Sequence, residues 1–405
     1  MVNKKVILSA YSCDPSKGSE PGNGFNWADQ LSKYGHQVYC ITTSKGKEAI
    51  EEARKNNPNL EVAYVDLPFG LDKMYYWTQL GMYMHYLTWQ WLAYRHAKQA
   101  HKKMNFDLTH HVTWGSLQQG SFMYKLPIPF IFGPAGGGQK APEAFKHYFN
   151  QHWTTEIKRE KISVLLQKLN PACKAMIRRA KIVLATNLDT LNMAKAMGAK
   201  NVEHILDAAL PSTFFEDTEM PTRNNKTELK LLWVGRFLPR KGILLVLEVM
   251  NELKKHPNIT LTVVGDGEMR DAFLTKCKEY ELENQINWVG KVPFAQVKSY
   301  YASHDAFFFT SLRDSSPAQL IEAMAFGLPI ITLDLHGQSL MVNSDKGIKV
   351  SVQKPEKTIE ELTNFIVKLD HNRDELLRLS ENAYLYAKDQ TWPKKIKLVS
   401  ERFYQ

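Results

Sequence analysis

The feature that most restricts this chain is an alternation, run through twice, of short apolar runs with longer amphipathic segments. Short apolar runs suit strands buried on both faces, and amphipathic segments between them suit covering helices, so the pattern specifies parallel sheets. The first series predicts strands over residues 6–10, 37–42, 61–66, 107–111, 128–132, 181–185 and 201–205. The second predicts strands over 230–234, 260–264, 285–289, 306–310 and 329–333. Between Leu206 and Leu229 the period is lost, and Pro211, Pro221, charges and asparagines collect. The expectation is a doubly wound α/β domain over 1–210, a linker over 211–228, a second such domain over 229–388, and an amphipathic terminal helix over 389–405. A length of 405 residues also implies two cores.

Within the second series the stretch Arg313 to Thr332, RDSSPAQLIEAMAFGLPIIT, carries the densest chemistry. Ser316 suits a helix N-cap, Pro317 the first helical position and Gln319 the return partner of a capping box. Gly327 and Pro329 end the helix. Glu322 has Ala318, Gln319, Ala325 and Phe326 three and four residues away, so its carboxylate has little polar surface around it and must find donors. Asp314 lies in the turn before the helix. Two acids, a helix N-terminus and a strand end suit a ligand rich in hydroxyls and phosphate. The same residues also suit a capped core helix whose dipole Asp314 complements.

Other predicted strand ends carry cations or glycines. Gly235 and Arg236 follow one strand, and Lys241 and Gly242 open the next helix, which aims both cations at the space a diphosphate would fill. Gly265 and Gly267 make a lone Gly-x-Gly after another strand. In the first half, Gly18, Gly22 and Gly24 fall in a long loop expected before the first helix, with spacing unlike a dinucleotide fingerprint. Gly133, Gly136, Gly137 and Gly138 follow a later strand, where a run of exposed amides makes an anion nest. His110 and His111 alternate faces at a strand end, so one of them is placed either to orient a hydroxyl or to serve the core.

Together these motifs resemble the retaining GT-B glycosyltransferases of family four, over essentially the whole chain and most strongly in the second half. Asp314, seven residues, then Glu322-Ala-Met-Ala-x-Gly-x-Pro is similar to the family signature. The resemblance implies two doubly wound domains facing a cleft, with Glu322 on the nucleotide ribose and Asp314 near the donor sugar. This chain has Asp where the family usually has Glu, and Ser316-Pro317 where it usually has Phe-Gly; proline offers no N–H to a phosphate. Gly235-Arg236 and Lys241-Gly242 resemble the phosphate clamp, and Arg236, Lys241, Asp314 and His111 are the implied catalytic residues. Gly22, Gly235, Gly265, Gly267, Val292, Ser315 and Ser316 join Glu322 as implied donor-binding residues; Gly136, Gly137 and Gln139, with Lys140 beside them, are the implied acceptor side. The reaction implied is transfer of a sugar from a nucleoside diphosphate to a hydroxyl of a lipid-linked or oligosaccharide acceptor, in exopolysaccharide, capsule or lipopolysaccharide synthesis. No Asp-x-Asp occurs, so no metal or other cofactor is expected. An epimerase or phosphorylase on the same fold, or a binding subunit that transfers nothing, would share these motifs.

Charge is uneven. Residues 1–200 carry 26 Lys and Arg against 14 Asp and Glu, which suggests that this half meets anions such as phosphates or acidic lipid headgroups. No nucleic-acid motif accompanies it. From Met74 to Lys103 the chain is aromatic and then basic, either an interfacial helix on an anionic membrane or one that packs its rings into the first core. Cys13, Cys40, Cys173 and Cys277 lack paired spacing, and no run has the length of a signal peptide or membrane span. A cytoplasmic enzyme working at the inner face of the cell membrane is the expectation.

Overall fold

The apolar runs become strands, the central ones buried on both faces and the edge ones half-exposed, and the amphipathic segments cover the faces. The computed structural model describes residues 3–215, 220 and 227–405. Most of the linker expected over 211–228 lies outside the described residues. Among those described, the first sheet comprises β1 (Lys5–Ser9), β2 (Gln37–Thr42), β3 (Leu60–Tyr64), β4 (Leu108–His111), β5 (Phe130–Ala135), β6 (Ile182–Ala185) and β7 (Val202–His204). Their order is β3-β2-β1-β4-β5-β6-β7. The second comprises β8 (Leu229–Val234), β9 (Ile259–Val264), β10 (Ile286–Gly290), β11 (Ala306–Phe309), β12 (Ile330–Leu333) and β13 (Gly347–Val350), in the order β10-β9-β8-β11-β12-β13. All these pairings are parallel; in register, Val6 faces Val38 and Leu108, and Leu231 faces Ala306.

Every predicted strand is present with ends shifted by a few residues, and β13 was not anticipated: Gly347 opens it and Lys349 interrupts a run too short to register as apolar. The helix predicted around 316 also differs. Pro317, with extended backbone, occupies the N-cap of the helix Ala318–Ala325, and no side chain caps it. The turn is held instead by Asp314, whose Oδ1 accepts the Ser315 amide at 3.0 Å. Near the N-terminus the helix Ser19–Lys33 has Gly18 as its N-cap and begins before Gly22 and Gly24, so Gly22 is a buried residue of the helix and not of the expected loop. A Cβ there would stand 2.3 Å from the Lys17 carbonyl oxygen, which explains the glycine by close approach of its own loop.

The chain divides into two units, one of 1–138, 162–209 and 392–405, the other of 139–161 and 210–391. Residues 139–161, drawn above into the first domain, therefore belong with the second. Phe145, Tyr148 and Phe149 are buried in one cluster with Phe237, Leu245 and Val249, and the Tyr148 hydroxyl donates to Glu248 at 2.6 Å. The terminal helix Trp392–Phe403 packs in the first unit, where Trp392, Ile396 and Val399 share a core with Trp27 and Leu31. The aromatic stretch resolves into a 3-10 segment, Pro68–Tyr76, and a helix, Gln79–Met104. Tyr86, Trp89, Ala93 and Ala97 of that helix lie in the first core, while Leu80, Met84 and Trp91 are exposed.

Candidate functional site

Strand order decides where the candidate residues meet. In the second sheet β8 lies between β9 and β11, so the chain turns one way from β8 to β9 and the other way at β11. Such a reversal opens a crevice beyond the carboxyl ends of the two central strands. The loop after β8 carries Arg236, Arg240 and Lys241; the loop after β11 carries Arg313, Asp314 and Ser315. The loops are laced together: the Leu312 amide donates to the Arg240 carbonyl at 2.8 Å, and the Thr310 hydroxyl to the Lys241 and Gly242 carbonyls at 3.1 Å each.

At their meeting point Lys241 Nζ lies 2.5 Å from Asp314 Oδ2, with Arg240 at 3.4 Å from the same oxygen. Burial alone would push the Asp314 carboxyl up, but Lys241 and Arg240 more than offset it and hold the group below its ordinary value. Burial likewise draws the Lys241 ammonium down, with Asp314 opposing and Arg240 and Arg236 reinforcing the fall. The result is an ion pair with a second cation to spare. Arg236 is exposed and makes no ion pair among the described residues, so its charge is available to a ligand.

The pair sits in a wider network that the sequence did not announce. Gln139 Nε2 donates to Ser315 Oγ at 3.1 Å, and the Gln139 carbonyl accepts from Arg159 at 3.0 Å. Arg159 and Arg313 both grip Glu156, the latter with Nε at 2.7 Å from one carboxylate oxygen and a terminal nitrogen at 3.2 Å from the other. Burial and the neighbouring Arg159 lower the Arg313 guanidinium to about 10, which leaves it charged at neutral pH. Arg159, Glu156, Arg240 and Arg313 were missed because no motif singles them out. The one available signal was a high local density of charge in segments with apolar spacing.

The remaining second-unit candidates line the same edge. The Gly235 amide donates to the Val264 carbonyl and the Gly265 amide to the Gly290 carbonyl, so these three glycines stand beside one another at the carboxyl ends of β8, β9 and β10. Gly267 donates its amide to the Asp266 carboxylate at 2.8 Å, and Val292 is half-buried beyond β10. Ser316 is half-buried at the helix start. Glu322 accepts from the Tyr301 hydroxyl at 3.3 Å, and burial pushes its carboxyl up to about 7. That shift has a measurable consequence. Between 4.5 and about 7 the folded protein holds a proton on Glu322 that the unfolded chain has released, so stability present below pH 4.5 is lost as pH rises to 7. Glu322→Gln is expected to remove a pH-dependent loss on the order of 3 kcal/mol from urea unfolding curves across that range; parallel wild-type and variant slopes would refute it.

First-unit candidates fare differently. His111 was a candidate for the acceptor, but it is fully buried, stacked on Phe132, with Nδ1 3.0 Å from Ser9 Oγ and Nε2 3.3 Å from the Tyr86 hydroxyl. Burial lowers it to about 3, so it is a neutral core histidine. His110, on the other face, is equally buried and meets Tyr404 at 2.7 Å. The expected anion nest is partly used up: the Gly136 amide donates to the Gly115 carbonyl at 2.7 Å. The Gly137 carbonyl accepts from the Thr190 hydroxyl at 2.8 Å.

Comparison with known proteins bears on this arrangement. Residues 215–386 match the family model described as glycosyl transferases group 1. An uncharacterized glycosyltransferase of Haemophilus influenzae is 29% identical over 46% of this chain and 51% of its own length. The amylovoran biosynthesis glycosyltransferase AmsD of Erwinia amylovora is 27% identical over 51% of this chain and 58% of its own. The chain thus spans little more than half the length of these relatives. Among solved structures, HepE of Anabaena, in complex with UDP, superposes with a TM-score of 0.64 at 16% identity over 98% of both chains. Residues 215–386 thus resemble the group 1 glycosyltransferases, and the two parallel sheets are those of the GT-B fold.

Proposed function

We propose that this protein is a retaining transferase that moves a hexosyl group from a nucleoside diphosphate to a hydroxyl of a glycan or glycolipid during assembly of a surface polysaccharide. The observation that carries the reading is the Lys241–Asp314 pair at 2.5 Å, with Arg240 at its side and Glu322 on the helix that follows. In the reaction the bond from the sugar carbon to the diphosphate breaks, the acceptor oxygen bonds to that carbon, and the acceptor proton passes to a phosphate oxygen. The leaving diphosphate then gathers negative charge. Lys241, Arg240 and Arg236 supply the cations that stabilise it, so neither a metal nor a side-chain base is required. Asp314 keeps Lys241 ionised until the diphosphate takes its place as counter-ion. Glu322, short of donors in its apolar setting, suits the paired hydroxyls of a ribose.

The UDP bound to HepE and the amylovoran role in the name of AmsD support a nucleotide-sugar donor and a polysaccharide product. The proposed acceptor is lipid-linked or an oligosaccharide, met at the cytoplasmic face of the membrane. No helix among the described residues is long and apolar enough to cross a membrane. Calorimetry with UDP-, GDP- and ADP-sugars, with and without EDTA, tests the donor site. One donor is expected to bind with no effect of EDTA, and Glu322→Ala to weaken it by roughly 10- to 100-fold, the worth of a charge-assisted hydrogen bond. If no donor binds, the transferase reading falls.

A further inference from the structure

The first unit presents an apolar surface to solvent. Phe69 is 98% exposed, Tyr76 74% and Trp77 69%; along the next helix Leu80 is 69%, Met84 49% and Trp91 47% exposed. So much apolar exposure gathered along one stretch of chain marks an interaction surface. Two features show that it is built into the fold. Phe69 has φ +58°, left-handed backbone that a bulky residue rarely adopts, at a kink of the 3-10 segment beside Gly70 at φ +72°, and its ring is left exposed. The helix Gln79–Met104 also carries two opposed stripes at helical spacing. Tyr86, Trp89, Ala93 and Ala97 bury one stripe in the first core. On the other side the exposed Leu80, Met84 and Trp91 continue along the same line into the exposed cations Arg95, Lys98 and Lys102.

Apolar and basic halves join through aromatic rings. The Arg95 guanidinium lies 4.7 Å from the Trp91 ring centre, and Lys45 sits over Tyr75 at 4.2 Å and Tyr76 at 5.3 Å. Rings of this kind rest at the depth of lipid headgroups, and cations beside them attract anionic phosphates. A second copy of the chain fits less well, because a two-fold contact would set the basic stripe either against itself or against the apolar one.

We propose that this face binds an anionic lipid bilayer, with Phe69, Trp77 and Leu80 entering the headgroup region and Arg95, Lys98 and Lys102 lying over lipid phosphates. The surface uses no residue of the donor site, so it stands whether or not sugar transfer is the activity.

The test is flotation of the full chain with vesicles of phosphatidylcholine alone or mixed with phosphatidylglycerol, at low and high salt. The wild type is expected to float with the anionic vesicles at low salt and to be released by high salt. Combined Phe69→Ser, Trp77→Ser and Leu80→Ser should lower partitioning at least tenfold, as should combined Arg95→Glu, Lys98→Glu and Lys102→Glu. All six positions are exposed, and unchanged circular dichroism together with unchanged donor calorimetry verifies that the variants are folded. Failure of the wild type to float with anionic vesicles, or flotation of both variants like wild type, overturns the proposal. So does a wild-type dimer in analytical ultracentrifugation that the variants dissolve, since a second copy would then cover the face.

Discussion

Lys241→Ala is expected to lower turnover about a thousandfold at saturating donor, the upper range for removing one preorganised charge from a developing anion. The effect is large because the ammonium is fixed before the reaction begins. Its side chain is 8% exposed, 2.5 Å from Asp314, and its backbone carbonyl is tied to Thr310. In the proposed reaction, little reorganisation is then needed as charge moves onto the diphosphate. Stability should suffer much less. Removing one member of a buried pair ordinarily costs about 3–5 kcal/mol because a bare charge is left behind, but Asp314 keeps Arg240 at 3.4 Å. Arg236→Ala makes the contrasting case, since that exposed side chain has solvent and freedom to lose. Kinetics on both variants, with thermal unfolding alongside, provide the check. Normal turnover in Lys241→Ala would remove the residue from the mechanism.

Gly265→Ala is expected to destabilise the second unit by about 4 kcal/mol, the range of mutations that force a backbone contact at a special conformation. Gly265 has φ +142°, and an added Cβ would stand 1.8 Å from the Gly235 carbonyl oxygen. Backbone, unlike a side-chain tip, cannot swing away. Gly265 is also held from two sides, by its amide, which donates to the Gly290 carbonyl at 2.8 Å, and by the Trp288 indole, which donates to its carbonyl at 2.9 Å. The loops after β8 and β9 would have to part, and donor affinity should fall with them. Gly290→Ala separates the two causes: φ there is +79°, yet nothing lies within 4 Å of its added Cβ. It should cost only about 1–2 kcal/mol, the penalty of left-handed backbone alone. Equal losses in urea unfolding of the two variants would show that the close approach to Gly235 carries no weight.

The candidate site was partly legible because some of its chemistry is local. Glu322 among Ala318, Gln319, Ala325 and Phe326 could be recognised as a carboxylate short of donors, and its raised protonation follows from that setting. Cations after β8 and acids after β11 were likewise visible at strand ends. Glu156 and Arg159 were not visible, because they act from a segment that joins the second unit across a long sequence gap. His111 was misplaced for a related reason. Alternation assigns it a face of β4, but only the helix Gln79–Met104, bringing Tyr86 over that face, decides that the face is sealed. The cap at Ser316 failed by one residue, since Pro317 with extended backbone accepts the N-cap role and Asp314 holds the turn.

By itself the sequence determined the class of fold and the residue types at each strand end, because apolar period, breakers and helix stripes are properties of neighbouring residues. It also determined that aromatics and then cations follow one another over residues 74–103, though not which of them would be left in water. Tertiary structure alone decided which strands are neighbours. Pairing of β11 with β8, and not with the preceding β10, brings Lys241 to Asp314 across 73 positions of chain. That choice rests on burying both faces of each sheet at once, a condition set by all the helices together and by no single stretch.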